Sequence, residues 1–262
     1  MRADSIALEE KRLEKVNDIT DYQQVHERHR IFPEAFGNRN HKLVLDISAG
    51  VGVVASRIKE KYNCEVQCND TCPKCLHLLQ KMGFTTYSFD LDDVETPYPF
   101  PDKTFDAIVS LATIEHLMNT EYFISEIRRI LKDNGYLYLS APNYSGITYL
   151  IPFIKTGKTF HDPLKKEDEY EFFGHVRYFT YRTLLEYVSK MKFTAEAVYI
   201  GIPEGSTKFV NLKREHPIKA FGAKTILKSF YKFFPPRWHA EPVICFKKSE
   251  GYLNLNPQKI VL

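Results

Sequence analysis

Val44-Leu45-Asp46-Ile47-Ser48-Ala49-Gly50-Val51-Gly52 is the stretch that decides the fold of this chain. A short apolar run ends in an acid, continues through a turn of small residues and leads into a helical pattern over residues 53–62. Gly50 and Gly52 lack a Cβ atom, so the backbone can take left-handed angles and a ligand can lie against it. The next helix begins with N–H groups that have no partner within it, and open α/β sheets bind nucleotide-like ligands at such turns.

The position of the acid indicates which kind of ligand the turn would accept. Asp46 precedes the glycines, where it would repel a pyrophosphate, and the glycine spacing is not the G-x-G-x-x-G pattern of dinucleotide sites. A ligand with a cationic centre and no phosphate fits better, and S-adenosylmethionine has a sulfonium, an ammonium and a ribose. The alternative is an ordinary tight loop between a strand and a helix, with no ligand.

Size and composition exclude several classes of protein. The 262 residues allow one large domain or one domain with a cap, and a hydrophobic content of 44% supports a substantial core. A net charge of +3 is too small to favour nucleic acid as a partner. The sequence has no apolar run long enough to span a membrane and no apolar signal region near its start, so we predict a cytoplasmic protein.

Four of the five cysteines are clustered, at Cys64, Cys68, Cys72 and Cys75. The C-x-x-C pair Cys72 and Cys75 is a pattern found in zinc sites and in redox-active motifs. A structural zinc site usually needs two such pairs, whereas Cys64 and Cys68 fall on a predicted strand and would lie far apart. We therefore expect reduced, partly buried thiols.

Apolar segments alternate with helical patterns along most of the chain. The patterns predict strands over residues 42–46, 64–70, 84–89, 105–111, 136–140, 193–200 and 242–247, with helices over 73–82, 121–131 and 180–191 among them. The regular alternation predicts an α/β fold, a Rossmann-like, doubly wound, mostly parallel sheet of seven strands with helices on both faces.

The remaining segments predict the domain organisation. Residues 1–40 form an N-terminal helical extension with one helix over 8–31, and residues 41–262 form the main domain. Within it, residues 144–178 are an insert rich in aromatics, and residues 206–240 are a basic segment. Inserts of this length often carry binding groups.

Five motifs occur in one order and resemble those of class I S-adenosylmethionine-dependent methyltransferases. They are the opening stretch, Asn69-Asp70-Thr71-Cys72-Pro73, Ser88-Phe89-Asp90-Leu91, Tyr98-Pro99-Phe100-Pro101-Asp102-Lys103-Thr104-Phe105-Asp106, and Ile114-Glu115-His116-Leu117 followed by 126–136. The likeness is strong over residues 42–143 and weaker over 172–200. The resemblance implies the fold given above and S-adenosylmethionine as the cofactor.

The same resemblance implies the cofactor residues. Asp46 would hold the methionine ammonium, Asp70 the ribose hydroxyls, and Asp90 the adenine amino group. Gly50 and Gly52 would admit the cofactor against the backbone. The other implied contacts are Ser48, Ala49, Thr71, Leu91 and Leu111.

Ser48 departs from the family pattern, which usually has glycine at this place. The serine could tighten the pocket, donate a hydrogen bond to the cofactor carboxylate, or mark a copy of the fold that does not bind. We predict retained binding because the motif acids are present.

The acceptor side is predicted at Glu115 and His116. Small-RNA 2′-O-methyltransferases and ubiquinone-pathway O-methyltransferases carry a similar Glu-His, and use it with an earlier acid and a later histidine to bind a divalent metal. Here His175 would be the later histidine, but Ala112 occupies the place of the earlier acid. We predict His116, His175 and Glu115 as catalytic residues, with a histidine as general base or acceptor contact and no metal. A three-ligand metal site and simply packed histidines remain the alternatives.

Further candidates for the wall of the acceptor cavity come from the insert. They are Tyr144, His161, Asp162, Arg177 and Tyr178. An arginine there would suit a carboxylate or phosphate on the acceptor. Each of them is equally compatible with plain packing or with the surface.

The basic segment allows two interpretations. Residues 206–240 contain eight Lys or Arg residues and one acid, Glu215. Lys224, Lys228 and Lys232 share one helical face, with aromatic bulk from Phe230, Phe233, Phe234 and Trp238. The segment either docks onto an anionic membrane surface or an anionic acceptor, or is a cap helix whose aromatics cover the sheet.

The sequence as a whole predicts an S-adenosylmethionine-dependent methyltransferase that acts on an O or N atom of a small-molecule acceptor. One alternative is a methyltransferase for a glycan or lipid-linked acceptor. Another is a non-catalytic cofactor-binding or regulatory protein with the same fold. A nicotinamide-dependent reductase is the weakest alternative, since the glycine spacing is wrong for it.

Overall fold

The structure is a computed structural model that describes residues 3–22, 26–158, 164, 174–202, 204 and 207–262. Of residues 3–5, 207 and 208 only the backbone is described. The described residues form the α-helices α1 (Ala3–Arg12), α2 (Glu27–Arg30), α3 (Val53–Lys61), α4 (Pro73–Lys81), α5 (Thr120–Ile130), α6 (Ile147–Thr156), α7 (Tyr181–Lys190), α8 (Thr207–Glu215) and α9 (Pro217–Phe233). Over these described residues, every helix is too short or too polar to cross a membrane.

Eight strands form one sheet in the order β3-β2-β1-β4-β5-β7-β6-β8. The strands are β1 (Leu43–Ile47), β2 (Glu65–Asn69), β3 (Thr85–Tyr87), β4 (Phe105–Leu111), β5 (Leu131–Ser140), β6 (Phe193–Ile200), β7 (Val243–Lys248) and β8 (Gln258–Val261). Among these described strands, β7 alone runs antiparallel to its neighbours. The predicted doubly wound, mostly parallel fold is confirmed, with an eighth strand that the sequence analysis missed because it has four residues.

The central strands are covered on both faces. Leu45 and Ile47 belong to one buried apolar cluster with residues of α5 and α7, while Val44 belongs to a second cluster with residues of α3. Successive side chains of a strand point to opposite faces, so a strand that is apolar at every position must be covered on both. By this alternation the Asp46 side chain points to the same face of the sheet as Val44. Asp46 is therefore a buried acid on the face that α3 covers.

The N-terminal segment is not the single helix predicted over residues 8–31. It has α1, a 3-10 turn at Ile19–Asp21 and the short α2, while residues 23–25 lie outside the described residues. The Asp18 carboxylate accepts a hydrogen bond from the Thr20 N–H at 3.2 Å, and the Asp21 carboxylate accepts one from the Asn17 N–H at 2.9 Å. Such local bonds compete with helical ones, and the helical spacing alone does not show them.

The turn after β1 contains three residues with left-handed backbone angles. Ser48 has φ +55°, Gly50 +56° and Gly52 +84°. Glycine takes such angles without steric cost, but the Cβ of Ser48 approaches the following carbonyl oxygen. The departure of Ser48 from the family pattern therefore falls at a strained position.

All five cysteines are free thiols. Cys64 is half-buried and the other four are buried. The expectation of reduced, partly buried thiols agrees with this arrangement.

Replacing Ser48 by glycine should raise the free energy of unfolding by about 0.5–1 kcal/mol. A left-handed angle costs an L-residue about 1–2 kcal/mol, and the greater freedom of glycine in the unfolded chain offsets part of that gain. Chemical denaturation of the protein without ligand measures the change. Ser88→Gly is the matched control, because Ser88 lacks a positive φ, and it should lower stability. A Ser48→Gly protein less stable than the parent would contradict the strain.

Candidate functional site

A cavity of about 580 Å³ opens at the carboxyl edge of the parallel strands. The register places Ile47 of β1 beside Asn69 of β2 and Ser110 of β4, so these strands end together. The strand order reverses between β1 and β4, and ligands of open α/β sheets bind at such a switch point.

The Asp70 carboxylate connects two turns at this edge. Its Oδ2 accepts a hydrogen bond from the Gly50 N–H at 2.9 Å, and its Oδ1 accepts one from the Cys72 N–H at 2.8 Å. The Ala49 N–H donates to the Asn69 carbonyl at 3.0 Å. The turn after β1 and the start of α4 are therefore fixed relative to each other through one side chain.

Asp46 is a buried carboxyl that lines the cavity. Its Oδ2 has no hydrogen-bond partner among the described residues. Burial, with a smaller contribution from the nearby Asp70 carboxylate, raises the pKa of Asp46 to about 8. At neutral pH the cavity without ligand therefore contains a protonated Asp46 that would ionise beside a cation.

The structure brings together nearly all of the predicted cofactor residues. Those that line the cavity are Asp46, Ser48, Ala49, Gly50, Asp70, Thr71, Asp90, Leu91 and Leu111. A Cβ at Gly50 would meet no atom within 4 Å, so the backbone there faces open space.

Gly52 is not part of the cavity wall, contrary to the prediction that it admits the cofactor. A Cβ on Gly52 would lie 2.7 Å from Met82 Cε and 2.8 Å from Leu79 Cδ2. The left-handed backbone angle favours glycine at this position, and a side chain there would also displace the ends of Leu79 and Met82.

Glu115, His116 and His175 meet at another part of the same cavity. Each of the three offers a ligand atom, and these atoms lie within 4.8 Å of one another. Glu115 and His116 lie on the 3-10 turn after β4. The N–H groups of Val176 and Arg177 donate to the Glu115 carbonyl at 2.9 and 3.0 Å, which brings the neighbouring His175 to this turn.

Burial favours the neutral forms of Glu115 and His116 in the absence of a ligand. Burial raises the pKa of Glu115 to about 8, and both of its carboxyl oxygens lack hydrogen-bond partners among the described residues. Burial lowers the pKa of His116. Its Nδ1–H donates to the Gly174 carbonyl at 3.0 Å, so the neutral ring has its lone pair on Nε2. A group with a proton to lose could give it to that nitrogen.

Three of the other acceptor candidates do not line this cavity. Tyr144, Arg177 and Tyr178 are absent from its wall, and the Arg177 guanidinium instead donates to the Met118 carbonyl at 2.6 Å. Tyr149 of α6 lines the cavity in their place. His161 and Asp162 lie outside the described residues.

One wall of the cavity comes from residues that the sequence analysis did not identify. The N-terminal segment contributes Glu9, Arg12, Tyr22, His26, Arg28 and His29, and Glu241 comes from the other end of the chain. The density of His and Arg in the stretch 26–30 was the available signal. Without knowing where the segment lies, that signal could not be distinguished from a solvated charged helix.

Arg28 and Glu241 join the two ends of the chain at this wall. Arg28 Nη1 lies 2.6 Å from Glu241 Oε2, and Glu241 Oε1 accepts a hydrogen bond from the Ser140 hydroxyl at 2.8 Å. Both side chains of the ion pair are less than one-fifth exposed, so solvent screens this pair less than it would a surface pair.

Comparison with known proteins identifies the central part of the chain. Residues 45–139 match the family described as "Methyltransferase domain". Ajmaline N-methyltransferase of Rauvolfia serpentina is 29% identical over 92 residues, which are 33% of this chain and 31% of that protein. Demethylmenaquinone methyltransferase of Tropheryma whipplei is 30% identical over 96 residues, which are 36% of this chain and 39% of that protein. The matches thus span about a third of the length of these relatives.

Solved structures extend the likeness in fold to most of the chain. Phosphoethanolamine N-methyltransferase 2 of Haemonchus contortus, in complex with S-adenosyl-L-methionine, superposes with a TM-score of 0.57 at 17% identity, over 93% of this chain and 56% of that one. The 1,6-didemethyltoxoflavin-N1-methyltransferase of Burkholderia thailandensis superposes with a TM-score of 0.54 at 13% identity. The superposition covers 93% of this chain and 87% of that one. Residues 45–139 are thus a methyltransferase domain, and the sheet order and the superpositions give the chain the fold of the class I S-adenosylmethionine-dependent methyltransferases.

Proposed function

We propose that this protein transfers a methyl group from S-adenosylmethionine to an O or N atom of a small-molecule acceptor. The observation that carries the proposal is one continuous cavity. It joins the acids at the ends of β1 and β2 to the cluster of Glu115, His116 and His175. A transferase needs both substrates in a single space, and this cavity has chemically different ends.

The end of the cavity near Asp46 and Asp70 suits the cofactor. The unpartnered Oδ2 of Asp46 would accept the methionine ammonium, and the open space over Gly50 lets the cofactor approach the backbone. Asp70 already accepts two backbone N–H groups, but each carboxylate oxygen has a second lone pair for a ribose hydroxyl. Asp90 and Leu91 would contact the adenine.

The other end suits an acceptor that loses a proton. The methyl group is already activated by the sulfonium, so this chain has mainly to align the acceptor, exclude water and remove a proton. His116 Nε2 would take that proton, since its Nδ1–H is committed to Gly174. His175, with its ring centroid 4.8 Å from that of His116, and Glu115 would orient the acceptor.

The relatives support this class of acceptor. Ajmaline and 1,6-didemethyltoxoflavin are small molecules, and the names of both proteins give a nitrogen as the methylated atom. The direct test is to incubate the protein with S-adenosylmethionine and panels of phenols, amines and lipid-linked or glycan acceptors, and to detect methylated product by mass spectrometry. Turnover of a small phenol or amine supports the proposal. Turnover confined to glycan or lipid-linked acceptors, or cofactor binding without turnover, would favour the alternatives of the sequence analysis.

Asp70→Ala should weaken binding of S-adenosylmethionine by about 1–3 kcal/mol, because charge-assisted hydrogen bonds to the ribose are lost. Isothermal titration calorimetry measures the affinity. Asp106→Ala is the matched control, since Asp106 also accepts two backbone N–H groups, from Lys42 and Leu43, but lies outside the cavity. It should reduce stability and leave affinity unchanged. Equal affinities of Asp70→Ala and the parent, or binding of NAD alone, would refute the assignment.

Binding of the cofactor should release about one proton at pH 7. The pKa of Asp46 is about 8 without ligand, so the group is mostly protonated, and a neighbouring ammonium would lower that pKa. Calorimetry in buffers with different ionisation enthalpies counts the protons. Asp46→Asn should abolish the release and weaken binding, while Glu115→Gln should retain the release. A binding enthalpy that is independent of buffer would contradict the role of Asp46.

A divalent cation is the second candidate for the cluster of Glu115, His116 and His175. The close approach of three ligand atoms and the unpartnered, buried carboxyl oxygens of Glu115 favour it. Ala112, at the place of a fourth ligand in the families that bind a metal there, argues against it.

Treatment with EDTA followed by dialysis distinguishes the two roles. If His116 is the general base, we expect methyl transfer to keep its rate after the treatment, and His116→Ala to lower it by about 10²–10⁴-fold. If the cluster binds a cation, activity should fall with the metal content and return with added Mg²⁺, Mn²⁺ or Zn²⁺. Asp106→Asn, at a position outside the cavity, controls for a loss of methyl transfer that comes from reduced stability alone.

A further inference from the structure

Helix α9 presents large apolar side chains to solvent. Ile218 is 86% exposed, Phe221 72%, Ile226 71% and Phe233 81%. Ala220 is the one buried residue of this helix. A helix whose role was to cover the sheet would bury such side chains rather than expose them.

The aromatic residues after this exposed face stack on one another. The ring centroids of Phe230 and Phe234 lie 4.3 Å apart, and those of Phe234 and Trp238 lie 4.8 Å apart. The cap-helix interpretation of the sequence therefore accounts for the half-buried Phe230 and Trp238, but not for the exposed residues of α9.

The exposed apolar side chains lie along one side of the helix. Ile218, Ile226 and Phe233 are eight and seven residues apart, which places them on one face at 3.6 residues per turn. By the same geometry Phe221, Lys228 and Lys232 share the adjoining face. Apolar and basic residues thus form one surface rather than opposite sides of α9.

The charge of this surface is of one sign. α9 contains four lysines and no acid. Lys224 pairs with Glu204 at 2.8 Å, whereas Lys219, Lys228 and Lys232 are exposed. Lys259 of β8 donates to the carbonyls of Lys232 and Phe234 and adds a cation at the end of the helix.

We propose that α9 docks this protein onto an anionic phospholipid bilayer surface. The lysines would contact lipid phosphates, while Ile218, Phe221, Ile226 and Phe233 enter the boundary between headgroups and acyl chains. Nucleic acid would use the lysines but offers nothing for exposed aliphatic side chains. A second copy of the chain would bring a surface of the same charge.

Docking through α9 would also orient the cavity relative to the membrane. The Asn143 side chain donates to the carbonyls of Arg237 and His239, so the segment after α9 is bound to the residues before α6. One side of α6 contributes Tyr149 to the cavity wall. The same helix exposes Leu150, Ile151, Phe153 and Ile154. A helix that contributes to the cavity wall and exposes apolar side chains therefore follows the residue that binds the segment after α9.

Cosedimentation of the full chain with vesicles tests the proposal. Vesicles of phosphatidylcholine containing about one-third phosphatidylserine should bind the protein, whereas pure phosphatidylcholine should bind it far more weakly, and high salt should reduce binding. Substituting Lys219, Lys228 and Lys232 by Gln should weaken binding on the order of 100-fold. The matched control substitutes Lys15, Lys42 and Lys190, exposed lysines elsewhere, and should retain binding.

The apolar contribution is tested separately. Phe221→Ser, Ile226→Ser and Phe233→Ser together should also abolish binding at physiological salt. In a Trp238→Phe background, which removes the single native tryptophan, the indole introduced by Phe233→Trp should be quenched by brominated lipids. This readout needs two aromatic-for-aromatic substitutions, one exposed and one half-buried, and does not depend on the triple variants folding.

Three results would overturn the proposal. The first is equal binding to neutral and anionic vesicles. The second is binding by the lysine variant that equals the binding by its control. The third is tryptophan fluorescence of the Phe233→Trp variant that brominated lipids do not quench, although the protein sediments with the vesicles. Association into dimers that the serine substitutions abolish, without lipid binding, would assign the surface to a second copy. Binding to an oligonucleotide but not to vesicles would assign it to nucleic acid.

Discussion

Two hydrogen bonds to the Asp70 carboxylate fix the edge of the sheet on which the site depends. The Gly50 N–H and the Cys72 N–H approach different oxygens of one side chain, so the turns after β1 and β2 cannot move independently. This arrangement places Asp46, Gly50 and Asp70 around one space, although they belong to different turns and strands. The strain at Ser48 is tolerated because the surrounding bonds determine the path of the turn.

The parts of the fold that the sequence predicted well are those set by local pattern. The predicted boundaries of β4 and β6 agree with the structure, because both segments are mainly apolar and most of their side chains are buried. The turn after β1 was predictable from its own residues, whereas the roles of Asp70 and Asp90 came from the family resemblance. Gly52 shows the limit of this reasoning. Its left-handed angle was expected, but its close approach to the side chains of Leu79 and Met82 is not visible in the local pattern.

The acceptor end could be predicted only in part. Glu115 and His116 are adjacent in sequence, and the resemblance identified His175, but Arg28 and Glu241 are brought together by the fold alone. The most distinctive motif, residues 98–106, lines no part of the cavity as described. Its Tyr98 and Phe100 are buried in the core, and Arg129 of α5 donates to both of their carbonyls. This part of the resemblance therefore reports the architecture of the domain rather than its chemistry.

The cavity wall combines segments that are far apart in sequence, and the ion pair of Arg28 and Glu241 joins two of them. Because the cavity wall draws on Glu9 near one terminus and Glu241 near the other, a single occupant would touch both ends of the polypeptide at once. Stabilisation by that occupant would spread over the whole chain rather than a local patch. Resistance to proteolysis would then rise together in the segments that contain Glu9 and Glu241, which are far apart in sequence.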